Sequence, residues 1–163
     1  MIENTERMWL PAPEFEHLFY IEVQCREPID VGNTAEGKLI VQPIKGGFFR
    51  GERLNGVVLD AGADWSLTRS NGVRTCDTRY VLKTDDGAII TLNNYAVLVH
   101  DEAFLKQMIR EPLEKTTRFY FREHVRFTTA DERYAWLNGA MAFGVVDVRA
   151  DRTTVCYDAY LLK

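Results

Sequence analysis

Asp64, Arg79 and Asn94 are the residues whose types would do acid–base chemistry if they met. A carboxylate moves a proton, a guanidinium offsets negative charge as it develops, and a carboxamide orients a ligand by hydrogen bonds. Two hairpin signals separate the three, Asn71-Gly72 and Asp86-Gly87, each flanked by runs of period-two alternation. Read as two-residue primed turns, they set the register by counting: Asp64 falls opposite Arg79, and Arg79 opposite Asn94. Asp77 then shares the face of this row, while Trp65, Thr78, Tyr80, Asn93 and Tyr95 point the other way. The row supports two readings. Turned inward it is a site in which Asp64 transfers the proton, Arg79 holds an enolate, phenolate or carboxylate, and Asn94 orients the substrate. Turned outward it is a cross-strand ion pair worth only about 0.2–1 kcal/mol.

Other polar and aromatic residues extend the candidate site. Arg122, on a later strand, is a second cation for the same lumen if Phe121 takes the opposite face; otherwise it is a surface arginine beside Tyr120 and His124. Trp65, Tyr80 and Tyr120 are aromatic surface for a substrate or, equally, hydrophobic packing. His17 and His124 are isolated histidines that could each serve as a base. Cys25, Cys76 and Cys156 are scattered and odd in number, which suits reduced thiols and neither a disulfide framework nor a zinc site. The sequence predicts no metal and no cofactor: it lacks a His-Glu-x-x-His pair, a phosphate loop and a Gly-x-Ser-x-Gly elbow.

The elements that must position these residues are mostly strands. Leu18 to Cys25 alternates Phe19, Ile21 and Val23 against Tyr20, Glu22 and Gln24. Gly46-Gly47, Gly51 and Gly56 imply close backbone approach in a strongly curled sheet. Between Asp101 and Arg110 the apolar spacing becomes helical and predicts one main helix. Thr129-Ala130-Asp131-Glu132 reads as the cap and first turn of a short helical segment carrying Tyr134, Trp136 and Leu137 before Gly139, with Trp136 and Asn138 placed to plug one end. Strands from about Met141 to Arg149 and Thr153 to Leu162 complete a mainly β chain.

With 163 residues, the chain is expected to form a single domain spanning 1–163, with 1–14 as an N-terminal arm. A net charge of −4 gives no positive field for a phosphate backbone, so nucleic acid is not an expected partner. No apolar run is long enough to cross a bilayer as a helix and the first residues lack signal-peptide blocks, so the expected compartment is the cytoplasm, without membrane association.

Gly46-Gly47-Phe48 with Gly51, Leu54 and Gly56, Ala63-Asp64-Trp65, Asp77-x-Arg79-Tyr80, Asp86-Gly87, Phe121-Arg122 and Arg133-Tyr134-Ala135-Trp136-Leu137-Asn138 together resemble the domain-of-unknown-function family 3237. The resemblance runs from about Phe15 to the end. It implies a small closed antiparallel β-barrel, similar to allene oxide cyclase and the lipocalins. It also implies relatives that act as cofactor-free cyclases or isomerases in natural-product pathways. The reading that follows is a cofactor-independent isomerase, cyclase or lyase using Asp64 and Arg79 on a small, partly aromatic or polyketide-like molecule, with Asn94, Asp77, Arg122, Trp65, Tyr80 and Tyr120 lining its site. The alternatives are a barrel that binds a small hydrophobic ligand without chemistry, and a structural subunit with a filled lumen. A homodimer is expected, because the face carrying Leu67, Cys76, Tyr80 and Leu82 would need cover if the charged row pointed inward.

Overall fold

The computed structural model describes residues 10–99, 120–149, 151 and 153–163. Nine strands follow in chain order: β1 (Phe15–Cys25), β2 (Ile29–Thr34), β3 (Gly37–Arg50), β4 (Asn55–Thr68), β5 (Val73–Thr84), β6 (Ile89–Val99), β7 (Tyr120–Thr128), β8 (Met141–Val148) and β9 (Thr154–Leu162). Each pairs antiparallel with its neighbour in the order β1-β9-β8-β7-β6-β5-β4-β3, and β1 pairs again with β3. That last pairing closes an eight-stranded antiparallel barrel, while β2 folds back on β3 outside the ring. The main helix expected from Asp101 lies outside the described residues.

Both hairpin signals make turns, but not the turns their dipeptides suggest. In the first, Gly72 N–H donates to the Arg69 carbonyl and Arg69 N–H to the Val73 carbonyl, so Ser70, Asn71 and Gly72 form a three-residue loop. The second repeats the pattern, with Gly87 N–H donating to Thr84 and Thr84 N–H to the Ala88 carbonyl. Gly72 and Gly87 take φ of 80° and 92°, the left-handed conformation of a glycine bulge after a tight turn. Each loop is one residue longer than counted, so each register slips by one. Asp64 pairs with Thr78, and Thr78 with Asn94; Arg79 instead meets Ala63 and Asn93. Two successive slips cancel for the outer strands and invert the middle one. Asp64 and Asn94 therefore stay on one face, and β5 turns Cys76, Thr78 and Tyr80 inward in place of Asp77 and Arg79. The apolar face invoked for dimerisation dissolves with this correction, since Cys76, Tyr80 and Leu82 are buried inside the barrel.

The interior is a hydrophobic core built on Phe19, Ile21, Phe49, Leu82, Leu92 and Val125, each at most 2% exposed. Burying each such side chain contributes roughly 1.5–3 kcal/mol. At one end the 3-10 helix Glu132–Gly139, capped by Asp131, places the fully buried Leu137 into this core. The Arg53 guanidinium lies 3.8 Å from the Trp136 ring centroid, and Arg133 and Tyr134 bond Asp86 of the β5–β6 loop. Leu137 is thus the residue of this segment that enters the barrel end, with Trp136 half-buried beside it and Asn138 exposed.

Closing so small a ring requires sharp bends. The β3–β4 register shifts between Pro43 and Gly47, and the β4–β5 register between Val58 and Gly62. Gly62 has φ +119°, and a Cβ there would sit 2.0 Å from the Arg79 carbonyl oxygen. Gly62→Ala is therefore expected to destabilise the barrel by about 3 kcal/mol or more, combining strain with backbone collision. Urea unfolding of the variant beside the parent protein measures it.

Candidate functional site

The half of the barrel away from the 3-10 helix holds two adjoining compartments. The inner one, about 70 Å³, is lined by apolar Val23, Ile44, Ala96 and Val146 and by polar Asp64, Thr78, Tyr80, Asn94, Glu123 and Tyr157. The outer one, about 160 Å³, shares Cys25, Gln42, Asp64 and Cys76 with it and adds Ser66, Arg74 and Thr153. At about 30 Å³ per water of liquid, the two spaces correspond to roughly two and five water molecules.

Asn94 is the hub of the inner compartment and is 1% exposed. Its Nδ2 lies 3.1 Å from Glu123 Oε2, 3.2 Å from the Tyr157 hydroxyl and 3.3 Å from the Tyr80 hydroxyl. An amide nitrogen has two hydrogens, so these three acceptors compete for two donations. The two tyrosine hydroxyls also bond each other. Asn94 Oδ1 and Glu123 Oε1 are enclosed and have no hydrogen-bond partner among the described residues. Glu123 fits because its neighbours are small. It pairs with Ala96 on one side and Gly144 on the other, and a Cβ at Gly144 would come within 2.6 Å of the Glu123 side chain.

The two carboxyl groups experience different surroundings. Burial pushes Glu123 up to about 8; the Asn94 hydrogen bond works against this and the nearby Asp64 charge reinforces it. At neutral pH Glu123 is a carboxylic acid. Because Oε2 accepts from Asn94, the acid proton belongs on Oε1, the oxygen without a partner. Asp64 is also raised by burial, but Ser66 Oγ donates to its Oδ2 at 2.6 Å, Thr78 Oγ1 to its Oδ1 at 2.8 Å, and the Arg74 charge favours the anion. Tyr80, Tyr157 and Cys76 are all shifted upward by burial and stay protonated.

Of the residues singled out in the sequence, Asp64, Asn94 and Tyr80 meet in the lumen. Tyr80 was expected on the opposite face and is 3% exposed inside. Arg79 and Asp77 stand on the outer wall, their side chains 66% and 47% exposed, in a loose ion pair at 3.6 Å. Trp65 is outside as well, by the strict alternation from Asp64. Arg122 and Tyr120 lie on the outer face of β7, the guanidinium 5.2 Å from the ring centroid, because Phe121 and Glu123 are the inward residues there. Glu123 and Tyr157 are the site residues that the sequence reading missed. Glu123 left a visible signal, an acid at the position between Phe121 and Val125 on an otherwise apolar stripe; Tyr157 left none beyond its parity with Val155 and Ala159. Among the described residues no group of His, Cys, Asp and Glu is arranged to hold a metal ion, and no helix is long and apolar enough to cross a membrane.

An eight-stranded barrel whose lumen carries a neutral glutamic acid, an aspartate, two tyrosines and an asparagine defines a class of small barrels with an acidic polar interior. The chain belongs to the family described as protein of unknown function DUF3237, whose model matches residues 13–162. It is 30% identical over 146 residues to the UPF0311 protein RPA1785 of Rhodopseudomonas palustris, covering 89% of this chain and 95% of that one. The crystal structure of RPA1785 superposes with a TM-score of 0.86 over 94% of this chain and all of the other, at 28% identity. A β-barrel-like protein of Acinetobacter baumannii aligns with a TM-score of 0.81 at 33% identity, over 96% of this chain and 100% of that one. The fold is also that of a Penicillium herquei protein described as an enzyme, with a TM-score of 0.70, 21% identity and coverage of 95% and 98%.

Glu123 binds a proton in the folded state that it loses in the unfolded chain above its ordinary range near 4.5. Its contribution to stability is therefore complete below that range and is lost as pH rises through about 8. Chemical denaturation at a series of pH values is expected to show this fall over that interval. Glu123→Gln, which mimics the neutral acid, should flatten it and leave the variant the more stable protein above pH about 8.

Proposed function

We propose that the lumen binds a small organic molecule bearing a carbonyl or enol group and catalyses a cofactor-independent isomerisation, cyclisation or elimination. The observation that carries this reading is a pair of carboxyl groups lining one cavity in unlike surroundings: Glu123, raised by burial to about 8, accepts from one neutral amide, whereas Asp64, raised by burial as well, accepts from two hydroxyls beside the Arg74 charge. Asp64, reachable from both compartments, takes a proton from carbon. The released electron pair moves onto the carbonyl oxygen, which accepts the Glu123 proton from Oε1. Asp64 then returns its proton to a second carbon as the enol collapses and Glu123 recovers its own, so the net change is an isomerisation. Asn94 holds the carboxyl of Glu123 and offers Oδ1 to a ligand hydroxyl. A likeness in fold to a protein described as an enzyme supports the reading, though only through the fold.

The placement of Arg79 and Arg122 outside the barrel favours a second reading, a lumen that binds such a molecule without turnover. No guanidinium among the described residues lines the inner compartment to offset an oxyanion. Proton exchange separates the two. Wild-type protein in D2O is expected to accelerate exchange at the carbon next to the carbonyl of 1-tetralone and related aryl ketones, and Asp64→Asn should slow it by about 10²–10⁴. Binding of these ketones with no accelerated exchange would leave the non-catalytic reading standing.

We further infer that the protein works in the cytoplasm as a homodimer. Phe15, Tyr120, Met141, Phe143 and Val145 are exposed together on the outer face of β1, β7 and β8, and a second copy would cover them. Sedimentation at micromolar concentration is expected to give a species of twice 18.8 kDa.

A further inference from the structure

Arg74 differs from the ion-paired arginines of the outer wall by facing the lumen. Arg26, Arg79, Arg133 and Arg149 each lie beside a carboxylate, respectively Asp60, Asp77, Asp86 and Glu22. All of them are on the outside of the barrel. Arg74 is on β5 with the inward parity of Cys76, Thr78 and Tyr80, is half-buried, and lines the outer compartment. Its Nε donates to Thr68 Oγ1 at 3.0 Å, the residue opposite it in register. Among the described residues it forms no ion pair, and with Nε on Thr68 the two terminal nitrogens keep a planar fork of donors. The anchoring Thr68 bond fixes the plane of that fork, which lowers the entropy lost on engaging a ligand. Asp64 lies deeper by two register steps, through Ser66–Cys76 to Asp64–Thr78.

We propose that Arg74 is the specificity-determining residue of the lumen, binding the carboxylate of a small organic acid whose other end reaches Asp64, Asn94 and Glu123. The proposal rests on the lumen being the binding site and names the class of molecule it takes. An anionic end is held at the mouth, and the uncharged end enters the inner compartment, where a second anion would face Asp64 and a carboxyl that is itself uncharged at neutral pH. A neutral analogue loses the Arg74 contact. The volume of the two compartments suits a single-ring acid, with the ring in the outer space.

The test compares 4-hydroxybenzoate with 4-hydroxybenzamide, nearly equal in shape and different in charge. Binding is read by calorimetry and by the shift of the Asn94 side-chain amide signal in ¹⁵N-labelled protein. Wild-type protein is expected to bind the benzoate at least about tenfold more tightly than the benzamide. Arg74→Gln should erase that difference and leave benzamide affinity and the Asn94 shift unchanged; Arg74→Lys should retain part of it. Benzoate affinity that is equal in wild-type and Arg74→Gln protein, with the Asn94 signal still moving, overturns the role of Arg74 and leaves the lumen reading intact. Binding of neither compound, or binding that leaves the Asn94 signal in place, overturns both.

Discussion

Everything distinctive about this barrel depends on the burial of one carboxyl group. An ionised Glu123 would cost several kcal/mol in that environment, and the protein avoids the cost by keeping it protonated rather than pairing it with a cation. The surroundings are arranged for that solution. Ala96 and Gly144 leave the space, Asn94 supplies a neutral donor, and the Tyr80–Tyr157 pair completes a polar cluster with no formal charge of its own. Asp64 is the counterpart: burial raises it too, but the hydroxyls of Ser66 and Thr78 and the more distant Arg74 work against that at the boundary with the outer compartment. One cavity therefore holds a proton donor and a proton acceptor whose identities are set by depth and by neighbours.

The parts of the fold legible in sequence were those governed by local patterning. Alternation along Phe19, Ile21 and Val23, the glycine bends around Gly46-Gly47, and the short helical segment after Thr129 all read out directly, because each depends on neighbours in the chain. The site was half legible. Asp64 and Asn94 stay on one face although each register is one residue off the count, because both hairpin loops hold three residues and the errors cancel across β5. Arg79 was lost to the same slip. An Asn-Gly or Asp-Gly pair fixes where the chain turns but not which of two glycine positions in the loop it fills, and one residue decides which face a strand presents.

Glu123 and Tyr157 escaped for a different reason. Glu123 meets Asn94 because β7 pairs directly with β6, and Tyr157 meets it across the barrel from β9; no local pattern encodes either contact. An acid on an apolar stripe was the available clue, and it carries weight only once the barrel is known to be closed. Family membership supplies the barrel and says nothing of the chemistry, so the functional account stands on the lumen itself.

The protonation state of Glu123 is the most direct measure of that account. In protein labelled with ¹³C at glutamate side-chain carboxyls, one resonance is expected to titrate near 8 and to vanish in Glu123→Gln. All glutamate carboxyls titrating in the ordinary range near 4.5 would contradict a neutral acid in the lumen, and with it the division of roles between Glu123 and Asp64.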